Sequence, residues 1–358
     1  MGWIIFRTLC KIILMMNKDL FLRRRYLSLA VACAVVIVGM VYYFFFSSML
    51  VKPSTQYVYI DNDDNLDSVT YKLSEISNSH AMVGFRTLTR HSSYGERIKP
   101  GRYEIKPGNG AFVVFRKLRS GMQAPVSLTI PSVRTMDKLA EAVAKKMMFS
   151  ETDLLNALES DSVCRKYGFD KENFCCMFIP NTYDLYWNTS VDKFLDKMSE
   201  ESKKFWTFER KNKAKAMGLS TNEVMTLASI VDEETANDGE KPMIAGMYYN
   251  RLKAGMPLQA DPTVKFALKQ FELKRIYHNM LSTNSPYNTY KNIGLPPGPI
   301  RIPSVKGIDA VLNYVHHDYL YMCAKEDFSG THNFARTYEE HKQNAAKYSK
   351  ALNERGIN

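Results

Sequence analysis

The sequence has no C-x-x-C pair, no H-E-x-x-H run and no Cys/His cluster at zinc spacing; its six cysteines and seven histidines are scattered, so a metal centre is not expected. A concentrated basic stripe is also missing. Lys and Arg number 48 against 37 Asp and Glu, a surplus of +11. Nearly half of it sits before residue 26, in Arg7, Lys11, Lys18 and Arg23 to Arg25 against Asp19 alone. The mild remainder fits a carboxylate-rich or polyanionic partner and does not argue nucleic acid. Low-complexity tracts are absent, and with 45% apolar and 24% charged residues the composition is ordinary globular, which excludes a disordered or collagenous chain. At 358 residues there is room for two or three domains.

Charge is missing altogether from Tyr26 to Val51, a run that includes YLSLAVACAVVIVGMVYYFFF. A helix crossing the hydrocarbon core needs about 20 apolar residues, whereas the apolar part of a signal peptide is usually about 7 to 15. No A-x-A-like cleavage site follows and no polar face interrupts the run at helical spacing, so residues 26–51 read as a single-pass transmembrane helix rather than a buried core helix. Arg23, Arg24 and Arg25 precede it and a lone Lys52 follows. By the positive-inside rule residues 1–25 stay in the cytoplasm and the rest of the chain faces outward. Tyr42, Tyr43 and Phe44 to Phe46 sit where an interfacial aromatic belt belongs. The earlier stretch GWIIFRTLCKIILMM, broken by Arg7 and Lys11, fits either a segment lying in the interface or a true start at Met16.

The remainder predicts an α+β chain: a small α+β module over 52–150, then a mixed α/β domain over 151–358. YVYI and SLTI have period-2 character, and each precedes a helix-like stretch. A weak internal repeat runs at an offset of 70 residues, matching Val58, Ile60, Leu66, Asp67, Val69 and Leu73 to Leu128, Ile130, Met136, Asp137, Leu139 and Val143. Such a unit displays a surface rather than chemistry. KPGRYEIKPGNGAFVVFRKLRSG reads as strand, turn and a helix ending at Gly121. Residues 151–215 look mainly helical, broken by FIPNTYDLYWNTS, an extended piece with Tyr183, Tyr186 and Trp187 packed on the core. Vicinal Cys175 and Cys176 each have Cys164 in reach after local folding, which leaves a disulfide and buried free thiols both open.

The informative region starts at Ser220, which forms a capping-box pattern with Glu223 ahead of TNEVMTLASIVDEET. Val224, Leu227, Ala228 and Val231 define an inward face, and three residues further it reaches Glu234. Asp232 and Glu233 are rotated about 100° and 200° away from Val231 on a 3.6-residue helix; Glu233, on the outward face, reads as solvated, so Glu233→Gln is expected to leave activity nearly intact. A carboxyl at the end of a buried stripe is partly desolvated, which raises its pKa towards that of a general acid near neutral pH. The competing reading of Glu234 is a solvated or ion-paired helix end. KPMIAGMYYNRLKAGMPLQADPTVKFAL then predicts a helix through Leu252, a stop at Gly255 and an irregular stretch holding Gln259 and Asp261. SPYNTYKNIGLPPGPIRIPS crowds prolines and glycines beside Tyr287, Asn288, Tyr290 and Asn292. A loop so restricted presents aromatics and amides rigidly, as sugar recognition requires, although a purely structural Ω-loop has the same composition. A helix from Ser304 to Val315, an apolar strand YLYMCA and a basic helix after HNFARTYEEH complete the chain.

LASIVDEETANDGEKPMIAGMYYNRLKAGMPLQADPTVKFAL, followed by SPYNTYKNIGLPPGPIRIPS and DYLYMCAKEDFSGTHNFARTYEEH, resembles the MltG/YceG-like family of endolytic murein transglycosylases. GRYEIKPG, LRSG, LTIP and FIPNTYDL extend the resemblance upstream to a LysM-like module, so it covers nearly all of the chain after the membrane span. The family's catalytic segment reads I-V-E-x-E-T; its second Glu falls on Glu234, while its first acidic position is Asp232 here. At Ile130 to Val133, IPSV departs from the family's usual acidic residue and Gly after I-P. The resemblance implies cleavage of the β-1,4 bond between N-acetylmuramic acid and N-acetylglucosamine inside glycan strands, leaving 1,6-anhydro ends and terminating nascent strands. It implies Glu234 as sole acid and base, Asp261 as an orienting group, and Asn250, Gln259, Thr263, Tyr287, Asn288, Tyr290, Pro296 and Gly298 as further substrate-site positions. It implies no metal or organic cofactor, peptidoglycan glycan strands and wall synthases as partners, and an inner-membrane anchor with the catalytic domain periplasmic. The alternatives are a hydrolytic glycosidase pairing Glu234 with Asp261, and a non-catalytic peptidoglycan-binding partner of the synthases.

Overall fold

The computed structural model describes residues 23–273 and 276–355, so the apolar segment ahead of residue 23 and Cys10 lie outside the described residues. Arg23–Phe46 forms one helix (α1), long and apolar enough to cross a membrane, with none of its apolar stretch buried within the chain. It ends before the charge-free run does. Met49 and Leu50 are buried in the protein's own core instead, and the main chain there bonds to Asn109, Ile76 and Asn78. An uncharged sequence does not distinguish lipid from protein interior, which is why the expected end at residue 51 overshoots. The last turn, Tyr42–Phe46, widens to a π-helix. Tyr43 stacks on His80 with centroids 4.2 Å apart, and the main chain of Phe44 to Phe46 comes so near Gly84 and Gly110 that a Cβ at either would collide with it.

The chain divides into two compact units, the first ending at Pro125 and the second beginning at Val126. In the first, β1 (Gln56–Ile60), α2 (Leu66–Ser74), α3 (Ser79–Arg90), β2 (Gly101–Ile105) and α4 (Ala111–Ser120) follow α1. Strands β1 and β2 are antiparallel with Val58 opposite Tyr103. Their alternating inward residues Val58, Ile60, Tyr103 and Ile105 bury against Val69 and Leu73 of α2 and Phe85 of α3. Asn65 and Ser68 make a reciprocal cap at the start of α2, and α4 stops at Gly121 in the left-handed conformation that glycine adopts without strain.

The second unit opens with β3 (Val126–Thr129), α5 (Met136–Ala144), α6 (Glu151–Leu158), α7 (Asp161–Lys166) and β4 (Thr182–Leu185). β3 pairs antiparallel with β4, Leu128 opposite Tyr183. Residues 126–150 therefore pack here, although the sequence groups them with the first module; the pairing that binds them runs to a strand more than fifty residues downstream. Two long helices, α8 (Val191–Phe205) and α9 (Phe208–Ala216), lead to α10 (Thr221–Glu234), α11 (Lys241–Lys253), α12 (Asp261–Leu268) and α13 (Val305–Leu312). Val224, Leu227, Ile230, Ile244, Ala245, Tyr248, Ile308 and Val311 lie in the core that joins α10, α11 and α13. The hairpin of β5 (Tyr321–Ala324) and β6 (His332–Ala335) precedes α14 (Tyr338–Glu354). Two elements differ from expectation. The stretch at Asp261 is helical, its start marked by Pro262 in the first turn, and HNFA is a strand held by YMCA rather than a lead-in to the last helix.

Candidate active site

Ser220 and Glu223 form the expected capping box: Ser220 Oγ accepts the Glu223 N–H at 3.2 Å, and Glu223 Oε2 accepts the Ser220 N–H at 2.7 Å. The helix they start, α10, is buried over every residue from Val224 to Val231. The inward stripe is as expected, but Met225, Thr226, Ser229 and Ile230 are covered too, because α11, α12, α13 and α9 all pack on this helix.

Glu234 is the last residue of α10 and is half-buried. The Tyr248 hydroxyl on α11 donates to its Oε1 at 2.5 Å. Burial pushes the Glu234 pKa up to about 7, against the Tyr248 hydrogen bond, which favours the carboxylate; the Asp261 charge adds to the rise and His332 and Lys265 oppose it. Such a carboxyl holds a proton near neutral pH and can release and recover it within one reaction.

Neither Asp232 nor Glu233 is solvated, which for Glu233 is contrary to its expected outward placement. The Asp232 side chain is 4% exposed and lies 2.8 Å from Lys241 Nζ, itself 8% exposed. It also accepts from the Ser304 N–H at 2.6 Å and the Ser304 hydroxyl at 3.0 Å, which ties the end of α10 to the start of α13. Glu233 is gripped by two guanidinium groups: Arg134 donates through Nε at 2.8 Å and Nη2 at 2.9 Å, and Arg301 through Nη1 at 3.0 Å. A helix that is covered all round has no outward face for these carboxylates, which is the reason the helical-wheel expectation fails. Glu233→Gln is thus expected to disturb the end of α10 rather than to be silent. Asp232→Asn should cost about 1–3 kcal/mol in denaturant unfolding, because it removes the buried partner of Lys241 and leaves it only the more exposed Asp238, also 2.8 Å away. A loss under 1 kcal/mol would show the pair to be unimportant.

Around Glu234 the other anticipated residues divide into two groups. Asp261 and Gln259 are exposed, and Gln259 has a left-handed backbone (φ 52°). Tyr290 donates to Asp261 Oδ1 at 2.5 Å, and its hydroxyl pKa is raised chiefly by burial, then by that carboxylate. Arg251, buried, donates to Gln259 Oε1 at 3.3 Å, to the Leu258 carbonyl at 2.7 Å and to the Leu320 carbonyl at 2.6 Å. Tyr287 is half-buried with its ring 4.8 Å from that of Phe266.

The remaining positions turn inward. Asn250 spends its amide N–H groups on the His317 carbonyl at 2.6 Å and the Tyr319 carbonyl at 3.1 Å. Thr263 and Asn288 are fully buried. Thr263 Oγ1 donates to the Ala260 carbonyl at 2.7 Å, and Asn288 Nδ2 staples the carbonyls of Leu281 and Thr283. Pro296 and Gly298 are buried, and Gly298 lies against the Glu172 main chain where any Cβ would clash. Thr263, Asn288, Pro296 and Gly298 help build the loop that carries Tyr287 and Tyr290, and Asn250 ties α11 to the segment at His317 and Tyr319.

Sequence reading missed Tyr248, Arg251, the two arginines on Glu233 and a pair formed by Glu240 and His332. Glu240, buried at the start of α11, accepts from the His332 main-chain N–H at 2.6 Å, and its Oε2 lies 3.0 Å from His332 Nδ1. The links to Arg134, Arg301 and His332 join residues far apart in the chain; Tyr248 and Arg251 reach nearer partners across the ends of α10 and α11, where helical spacing does not carry through the turns. Cys164, Cys175 and Cys176 are buried free thiols.

A helix end that keeps one glutamic acid protonated near neutral pH, on an α+β scaffold with an aromatic, amide-stapled loop beside it, has the equipment of a general acid–base enzyme. The chain belongs to the YceG-like family, whose model matches residues 58–347. It is 28% identical over 274 residues to the endolytic murein transglycosylase of Bacillus subtilis (strain 168), a match covering 72% of this chain and 75% of that protein. It is likewise 28% identical over 304 residues to the endolytic murein transglycosylase of Streptococcus pneumoniae serotype 2 (strain D39), covering 75% of this chain but 54% of that one, about half its length. The crystal structure of a yceG-like protein from Listeria monocytogenes superposes with a TM-score of 0.53 at 26% identity, over 82% of this chain and 99% of that one.

Proposed function

We propose that this chain is a membrane-anchored lytic transglycosylase that cuts inside peptidoglycan glycan strands and so ends their elongation. The observation that carries the reading is Glu234, held protonated to about pH 7 by burial at the end of α10 while Tyr248 fixes its orientation. Glu234 donates its proton to the glycosidic oxygen as the bond from C1 of the muramoyl residue breaks. The resulting carboxylate takes the proton of the C6 hydroxyl as O6 attacks C1 and closes the 1,6-anhydro ring. One carboxyl suffices, because the nucleophile belongs to the substrate and the proton count returns to its starting value.

Asp261 is the candidate second acid of a hydrolase, where the carboxyl groups stand about 5 to 9.5 Å apart. Its charge acts on Glu234, which favours that second reading, but its carboxylate is bound by the Tyr290 hydroxyl, which suits an orienting group. Gln259, Tyr287 and Tyr290 are the sugar contacts, the first exposed and the two tyrosines half-buried on the loop surface. The strand–helix–helix–strand order of the first unit supports a LysM-like, glycan-holding role for it. The test of function is digestion of purified glycan strands with the protein in detergent, read by mass spectrometry. New anhydro ends support it; reducing ends favour the hydrolase, and no new ends favour a binding partner of wall synthases.

Helix α1 serves as the anchor, with Arg23 to Arg25 on the cytoplasmic side and both units outside. A reporter fused after Lys52 should be active if it works outside the cytoplasm and silent if it works inside. The opposite pattern would reverse the orientation.

A further inference from the structure

The sequence repeat at an offset of 70 residues reappears in the architecture. β1–α2–α3–β2 and β3–α5–α6–α7–β4 both open strand–helix–helix and close on a strand antiparallel to the first, the second copy with the extra helix α7, and α2 and α5 each have nine residues. Val58, Ile60, Val69 and Leu73 are buried in one, and Leu128, Ile130, Leu139 and Val143 in the other. Tyr103 opposite Val58 and Tyr183 opposite Leu128 are both buried, and each hydroxyl donates to the carbonyl four residues upstream, at 2.7 Å to Lys99 and 2.8 Å to Ile179. The two copies differ in the connection between first strand and first helix. In the first copy it folds on itself, with Asp64 accepting the Asp61 N–H and pairing with Lys72. In the second it reaches the candidate active site: Arg134 holds Glu233, Ser132 Oγ accepts from Arg301 Nε at 3.1 Å, and the Val133 carbonyl accepts the Ile302 N–H at 2.8 Å.

Along this connection and α5 runs a groove of about 1130 Å³, lined by the rings of Phe266, Phe271 and Tyr287 and by the charged side chains of Asp137, Lys138, Glu141 and Lys145, with both lysines bonded to Glu141. A smaller cavity shares Arg134, Phe266 and Phe271 with it and extends to Glu233, Pro262 and Lys265, next to Glu234 and Asp261. We propose that this groove is a binding subsite for the peptide-substituted part of the glycan strand, away from the bond that is cut. The inference rests on the glycan-cleaving function above. Rings of Phe and Tyr offer apolar faces to sugars, while a rim carrying both signs of charge matches a stem peptide that has carboxylates and an amine. A bare sugar chain would have no use for the rim.

The test uses the full chain carrying Glu234→Gln, so that binding is read without cleavage, and glycan strands either bearing their peptides or stripped of them. Lys138→Glu together with Lys145→Glu, at two well-exposed side chains, should lower the preference for peptide-bearing over stripped strands by about tenfold. Phe271→Ala should weaken both kinds of strand and leave the preference as it was. An unaltered preference in the double lysine variant, whether from no effect or from equal loss of both, would overturn the proposal, as would absence of binding by the parent. Failure of the cleavage reading is seen separately, as a parent with native Glu234 that binds strands and releases no ends.

Discussion

Glu234→Gln should cut the release of anhydro ends by at least about 10²-fold to 10⁴-fold while glycan binding survives. The amide keeps the shape of the side chain and accepts the Tyr248 hydroxyl, yet it cannot give a proton to a departing oxygen or recover one from the C6 hydroxyl. Asp261→Asn should fall between this variant and the parent, since it loosens the link to Tyr290 without removing the proton donor. Glu233→Gln keeps the proton donor too, and its expected loss comes from slackening the grip of Arg134 and Arg301 on the helix end. The assay is anhydro-muropeptide release from purified strands by each variant after a cooperative melt has been recorded. Near-normal release from the Glu234 variant would remove it from the chemistry.

The same substitution should stabilise the protein at alkaline pH. Glu234 has a pKa of about 7 in the fold against 4.5 when unperturbed, mainly because of burial. Below the lower value both states carry the proton and the group costs nothing. As pH rises through the interval, the unfolded chain ionises while the folded one does not, so stability is lost, and above pH 7 the full penalty of about 3 kcal/mol is present. Glutamine never ionises. The stability of the variant relative to the parent, measured by denaturant unfolding in detergent, should therefore rise by about 3 kcal/mol between pH 4 and pH 8. A difference that stays flat across that range would mean the carboxyl is solvated in the folded protein.

The sequence made the local devices readable: the Ser220–Glu223 cap, the Gly121 and Gly255 stops, the inward stripe of α10 and its continuation to Glu234 all depend on residues within a few positions of each other. It overextended α1 to residue 51, because Met49 and Leu50 look alike whether they meet lipid or the Phe85 core. It made Glu233 outward, because a periodicity argument assumes one covered face, and α10 is covered on all sides. It assigned Asn250, Thr263 and Asn288 towards substrate from their motif positions, whereas their hydrogen bonds go to main-chain carbonyls inside the fold. Tyr248, Arg251 and the Glu240–His332 pair were not legible because their partners lie beyond the helix that carries each of them, on the neighbouring helix, in the turn after α11 and on β6, where helical periodicity gives no geometry.

The most direct test of the central claim is the mass of the fragments that the unaltered protein releases from purified glycan strands. If Glu234 acts alone and the C6 hydroxyl is the nucleophile, every new muramoyl end is one water lighter than a hydrolytic end and cannot be reduced by borohydride. Fragments carrying the extra water, with reducible ends, would contradict the account and give Asp261 the role of a second catalytic acid.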